Sequence, residues 1–169
     1  MEIMRAIKER RSVRDYAAAQ VEKSAVRQII AADTLAPSGK NGQPWRFAVV
    51  HKDKELLHKI AACTVYESFV SRADCLVCVF LDKAESYHYV KDCQAIGACI
   101  QNMLLAATEL NLGACWIGEI LNRDAAVKKL LRIDNRYDLM AVVAIGQKSE
   151  AAPSRAPRPP AETRILSYR

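Results

Sequence analysis

A mixed helix-and-strand domain is what this sequence predicts, and three observations predict it. Four runs rich in β-branched, aromatic and other apolar residues, at 45–50, 75–81, 114–117 and 137–145, read as strands. Helical spacing of apolar residues fills the segments 22–35, 54–62, 87–110 and 124–131 between and before them. The 169 residues, 51% hydrophobic and 26% charged, show ordinary globular usage with no internal repeat, so one domain over 1–169 is expected.

In chain order, residues 2–9 predict a short helix with Ile3, Ala6 and Ile7 on one face. It runs into Arg10-Arg11-Ser12-Val13-Arg14, which holds three guanidinium groups and a hydroxyl. Guanidinium forks fit phosphate oxygens bidentately and a Ser hydroxyl adds a donor. A solvated basic turn accounts for the same composition. Helix 22–35 follows, with Ser24 as a cap and Pro37 blocking its continuation. The loop Ala36-Pro37-Ser38-Gly39-Lys40-Asn41-Gly42-Gln43-Pro44-Trp45 then reads as one wall of a cofactor site. Gly lets the backbone approach a flat ligand closely, and Pro fixes the path of the chain.

Trp45, Phe47 and Val49 are expected in the core. Helix 54–62 turns Leu56, Leu57, Ile60 and Ala61 inward, residues 63–74 show no clear pattern, and Cys75–Leu81 is a buried strand. The density of Ala and Gly in 87–110 suits close helix packing, in the core or across a dimer, and Asn111 and Gly113 can end that helix. Ala114–Ile117 leads into Gly118-Glu119. Asp124 is expected to cap the helix through Leu131, and Gly146 to stop the last strand. From Ala151 onward, Pro153, Pro157, Pro159 and Pro160 exclude a helix. That leaves a solvated linker or an extended arm that adds Ile165–Tyr168 to the sheet edge of another subunit.

Composition also excludes function classes. The net charge is +6, from 25 Lys+Arg against 19 Asp+Glu, but no basic helix, zinc finger or aromatic-basic sheet motif accompanies it, so no nucleic-acid partner is expected. The arginines gather at 5–14 and 155–169, an arrangement that suits one small anion as well as a polymer. No run approaches the roughly 18 apolar residues of a membrane span. Met1-Glu2-Ile3-Met4-Arg5 lacks the apolar core of a signal peptide, so a cytoplasmic location is expected. Of six cysteines, Cys75, Cys78, Cys99 and Cys115 lie in apolar segments and read as small hydrophobes. The Cys75-Leu76-Val77-Cys78 spacing has no second pair to complete a metal set, and no metal is expected.

Three motifs in this order carry a further signal: Arg10-Arg11-Ser12-x-Arg14, Pro37-Ser38-Gly39-x-Asn41-x-Gln43-Pro44-Trp45, and Trp116-Ile117-Gly118-Glu119. With the Gln101–Ala107 helix and the Leu139–Gly146 strand, the chain resembles the FMN-dependent nitroreductase family from Arg10 through Arg158. The resemblance implies an α+β, nitroreductase-like fold: a central, mostly antiparallel sheet flanked by helices. It implies a homodimer that exchanges carboxy-terminal arms (151–169 here), with FMN at the interface. The activity implied is that of an NAD(P)H oxidoreductase, a flavoprotein passing hydride through flavin N5 by a ping-pong scheme to a nitroaromatic, quinone or similar small-molecule acceptor. A family member with a non-nitro role, in dehalogenation, flavin handling or a specialised dehydrogenation, is the alternative.

Carried over residue by residue, the resemblance puts Arg10, Arg11 and Ser12 at the FMN phosphate and ribityl end, with Arg158 completing the cradle. Arg14 falls near the N1–C2 side of the ring, where a fixed cation favours the reduced cofactor. Pro37, Ser38, Gly39 and Asn41 would come from the partner subunit, and Gly118 and Glu119 would offer backbone N–H groups to flavin O4 and N5. No side chain is nominated as a general acid or nucleophile. Where this chain has Gly118-Glu119, many relatives have two glycines, which puts a side chain close to N5.

Overall fold

One antiparallel sheet in the order β1-β2-β4-β3 forms the centre of the protein. Its strands are β1 (Trp45–His51), β2 (Cys75–Asp82), β3 (Leu112–Ile117) and β4 (Tyr137–Gln147). This computed structural model describes residues 2–149 and 157–169. The helices are α1 (Ile3–Glu9), α2 (Lys23–Asp33), α3 (Lys54–Ala61), α4 (Glu67–Val70), α5 (Tyr89–Glu109) and α6 (Asp124–Leu131). The architecture is therefore α+β, as expected.

Side chains alternate across a strand, so β2 and β4 feed two cores at once. Val77, Val79, Leu81, Val143 and Ile145 pack on one face with Ile29 of α2 and Ile96, Ile100 and Met103 of α5. Leu76, Cys78, Phe80, Val142 and Ala144 pack on the other with Leu57 and Ile60 of α3, Phe69 and Val70 of α4, and Val127 of α6. Helices on both faces explain why both strands read as continuous apolar runs. Each large side chain buried this way stabilises the fold by about 1.5–3 kcal/mol. Cys75, Cys78, Cys99 and Cys115 are buried free thiols in these layers. Burial pushes the Cys75 and Cys78 thiols up to about 12, which leaves them inert at neutral pH.

Several local expectations change. On the edge strand β1, Val49 is exposed although Trp45 and Val50 are buried. On α1 only Ala6 is buried, while Ile3, Met4 and Ile7 face outward. Helix α2 starts at Lys23 without a side-chain cap, whereas Asp53, unremarked in the sequence, accepts from Leu56 N at 3.0 Å to cap α3. Asp124 is the first residue of α6 rather than its cap. Its carboxylate accepts from Leu139 N (3.0 Å) and pairs with Lys128 (2.7 Å), tying α6 to β4. The patternless stretch 63–74 contains α4 between turns. The proposed arm at 151–169 falls partly outside the described residues. From Pro157 it runs without strand pairing through a short 3₁₀ turn at Ala161–Arg164.

Gly146 does not end β4. A Cβ there would lie 2.7 Å from Tyr16 Cδ1 and 2.9 Å from its Cγ. The missing side chain is what lets residues 12–16 cross the sheet. Ser12 bridges Ala114, Tyr16 bridges Lys148, and Val13 N donates to Ala114 O at 3.0 Å. The buried Tyr16 hydroxyl lies within hydrogen-bond distance of Val13 O (2.9 Å) and Ala144 O (3.2 Å). Gly146→Ala should therefore cost about 1–3 kcal/mol of stability, as overpacking does. Gly118→Ala, whose added methyl meets nothing within 4 Å, should stay within about 0.5 kcal/mol of the parent. Urea unfolding of the two variants side by side checks the contrast.

Candidate functional site

The crossing segment 12–16 and the end of α1 fix where the basic cluster points. Arg10 N donates to Ala6 O at 2.9 Å and closes α1, so Arg10 and Arg11 leave the helix as a half-buried pair. Arg10, Arg11, Ser12 and Arg14 line a cavity of about 400 Å³ together with Pro157, Arg158 and Pro159 from the other end of the chain. An adjoining cavity of about 710 Å³ shares Arg10, Arg11 and Arg158 and adds Ile7, Lys8 and Gln101. Among the described residues, no acidic side chain lines either cavity.

The electrostatics of this cluster are unfavourable without a ligand. Burial, then the charges of Arg158 and Arg11, lower the Arg10 pKa. Arg11 Nη1 donates to Lys8 O (2.8 Å) and Arg10 O (2.7 Å), while its buried Nε has no partner among the described residues. Like charges held together around a space that no described carboxylate lines, one of them with an orphaned donor, make a site suited to an anion with several oxygens.

The loop at 36–45 sits elsewhere. Pro37, Ser38 and Gly39 line a separate cavity of about 400 Å³ with Tyr87 and with Lys91, Gln94, Ala95 and Ala98 of α5. It shares no residue with the arginine cavities. The loop is tightly set: Gln43 N donates to Ser38 Oγ at 3.0 Å, Asn41 N donates to Ser38 O at 3.0 Å, and Lys40, Asn41 and Gln43 all have positive φ. Non-glycine residues in that region are held there only by their surroundings. Gly39 packs so closely on Tyr87 that a Cβ would fall 2.0 Å from the phenol oxygen. Asn41 lies at the end of a short 3₁₀ turn, Gly39–Asn41, and does not line that cavity.

Gly118 and Glu119 lie at the end of β3, the strand that Ser12 bridges at Ala114. The Glu119 carboxylate accepts from Thr64 Oγ1 (2.6 Å), Val65 N (3.1 Å) and Asn122 Nδ2 (3.3 Å). These bonds, that of Thr64 foremost, hold its pKa below the usual carboxylate value. One cavity thus brings Arg10, Arg11, Ser12, Arg14 and Arg158 together, and its lining includes no residue of the 36–41 loop or of the 118–119 turn. Sequence reasoning missed Gln101 and Tyr87. Gln101 stands in the sequence as the first residue of the Gln101–Ala107 helix and as a polar residue within the apolar spacing of α5, without a role, and Tyr87 carries no signal.

The chain is similar to known proteins along most of its length. A family model described as the Nitroreductase family matches residues 7–67 and 58–147. A protein of Archaeoglobus fulgidus, provisionally named an NADH dehydrogenase/NAD(P)H nitroreductase, is 33% identical over 148 residues, covering 86% of this chain and 84% of that protein. One of the same provisional name from Methanothermobacter thermautotrophicus is 32% identical over 155 residues, 89% of this chain and 79% of that one. A provisionally named nitroreductase from Desulfovibrio desulfuricans, crystallised in complex with FMN, aligns with a TM-score of 0.94 at 40% identity, over 100% of this chain and 98% of that chain.

Proposed function

The chain belongs to the nitroreductase family, and from that premise we propose that it is an FMN-dependent NAD(P)H oxidoreductase. The observation that carries the reading is the convergence of Arg10, Arg11, Ser12, Arg14 and Arg158 on one cavity with no acidic lining among the described residues. The donor set fits the cofactor: paired guanidinium forks, a hydroxyl and an orphaned buried N–H meet the charge and oxygen count of a phosphate monoester. Bound FMN would supply the hydride chemistry, accepting from NADH or NADPH and donating to a nitroaromatic, quinone or similar acceptor.

The residues of the chain bind and orient. Arg10, Arg11, Ser12 and Arg158 hold the phosphate and ribityl end. Arg14, an exposed cation on the same cavity, supplies positive charge toward the pyrimidine side of the ring. The amides of Gly118 and Glu119 serve O4 and N5, and Pro37, Ser38, Gly39 and Asn41 line the ring of the flavin held by a second copy. The separation of the loop cavity from the arginine cavities supports that last assignment. So do the open apolar side chains of Ile3 and Met4 on α1 and of Leu166 and Tyr168 in the tail, the last two almost wholly exposed. We take residues 1–169 as one FMN-binding domain whose end, 151–169, is the arm exchanged in a homodimer. Among the described residues no helix is long and apolar enough to cross a membrane.

Steady-state kinetics with NADH or NADPH and a panel of nitroaromatic and quinone acceptors test the reading. It predicts FMN-dependent turnover with parallel double-reciprocal lines. FMN binding with negligible turnover on every acceptor would favour the non-nitro alternative instead.

A further inference from the structure

The turn after β3 and the stretch before α4 meet through one side chain. Thr64 Oγ1 and Val65 N both donate to Glu119 Oε2, at 2.6 and 3.1 Å. Asn122 Nδ2 occupies Oε1 at 3.3 Å, and Tyr66 N donates back to Thr64 Oγ1 at 3.3 Å. Both oxygens of the carboxylate are thus engaged, and it points toward residues 64–65. Beyond this knot the chain is apolar yet uncovered: Val65 is 76% exposed and Tyr66 44%. The Tyr66 ring lies 5.8 Å from that of Phe69, which is buried in the core. The stretch is therefore fixed at two points, by Glu119 above and by Phe69 below. The space over Gly118, next to the knot, is open: nothing lies within 4 Å of where a Cβ would stand.

We propose that Glu119 is a positioning residue that holds Val65 and Tyr66 as a wall of the acceptor pocket beside Gly118, so that these two apolar side chains set which acceptors fit. The inference rests on the oxidoreductase reading above. It also accounts for a carboxylate beside a flavin edge: the charge is committed to Thr64, Val65 and Asn122. An apolar wall with one aromatic face suits a flat, weakly polar acceptor better than a charged one.

Two readouts test this. The first needs no cofactor: amide hydrogen exchange of the FMN-free protein, comparing Glu119→Ala, Glu119→Gln and the parent. Loss of the acceptor oxygen in Glu119→Ala should lower protection at Val65 and Tyr66 by about tenfold or more while β2 amides stay unchanged. Gln keeps one acceptor oxygen for Thr64 and Val65 and should restore most of it. The second readout is the ratio of KM values for a bicyclic and a monocyclic nitroaromatic in the FMN-loaded enzyme. Glu119→Ala and Tyr66→Ala should each shift that ratio about fivefold or more, mainly through KM rather than kcat. Unchanged exchange in Glu119→Ala overturns the clamp. Lost protection with an unchanged KM ratio overturns its part in acceptor choice. A chain that takes up no FMN overturns the oxidoreductase reading and the acceptor wall with it, and the exchange experiment still decides whether Glu119 holds the stretch.

Discussion

Arg10→Ala should weaken FMN binding by about 2–3 kcal/mol, roughly 30- to 150-fold in Kd, and Arg158→Ala should do nearly the same. Arg10 and Arg158 line one cavity with Arg11, and the charges of both partners depress the Arg10 pKa on top of its burial. In the ligand-free protein this is repulsion held in place by the fold. A phosphate dianion converts it into attraction, so each guanidinium removed takes away a charge-assisted pair. The two sites share one ligand group, so the double variant should lose less than the sum of the singles. Riboflavin, which lacks the phosphate, provides the control. Its affinity should move little in either variant, so that FMN and riboflavin bind more nearly alike. Fluorescence titration with both flavins measures this. Equal FMN affinity in parent and variants would show that the arginine cluster serves something else.

Asp33→Asn should remove most of a fall in stability between pH 4 and pH 8. Asp33 ends α2 with no exposed surface, and neither carboxylate oxygen has a hydrogen-bond partner among the described residues. Burial pushes its pKa up to about 8, an effect the nearby Thr34 amide offsets only in part. The sign follows from linkage: the folded state binds this proton more tightly than the unfolded chain, whose carboxyl titrates near 4. The stabilisation is complete below about pH 4 and is lost as pH rises through about 8. At about 1.4 kcal/mol per pKa unit over roughly four units, the parent should therefore weaken by about 5 kcal/mol across that window from this residue. The Asn variant, having no proton to lose, should vary less. Urea melts of FMN-free protein at pH 5, 6.5 and 8 keep ligand linkage out of the comparison. Parallel pH profiles for parent and variant would contradict the assignment of Asp33 as a buried neutral acid.

Much of the fold was legible because its two central strands are buried on both faces or nearly so. Cys75–Asp82 and Tyr137–Gln147 are almost unbroken apolar runs, and α3 and α5 show clear helical spacing. What escaped reading depends on contacts between distant parts of the chain. Gly146 looks like a strand terminator until Tyr16 is known to pack where its Cβ would be. Asp124 looks like a helix cap until β4 presents the Leu139 amide to it. Ile3 and Ile7 look like core until α1 is seen to bury only Ala6. The site divides in the same way. The residue types in the Arg10–Arg14 turn already suggest an oxyanion, but their meeting with Arg158 joins the two ends of the chain. The Glu119 knot with Thr64 and Val65 had no sequence signal, since it joins a departure from the family pattern to the one stretch without periodicity.

The central claim is that this chain binds FMN through the arginine cavity and lets NAD(P)H reduce it. The visible spectrum of the FMN-reconstituted, gel-filtered protein, recorded without oxygen before and after NADH or NADPH, tests it most directly. The account predicts a yellow protein with about one flavin per chain, whose absorbance near 450 nm bleaches on addition of the nicotinamide. A colourless protein after gel filtration, or bound flavin that neither nicotinamide bleaches, would contradict it.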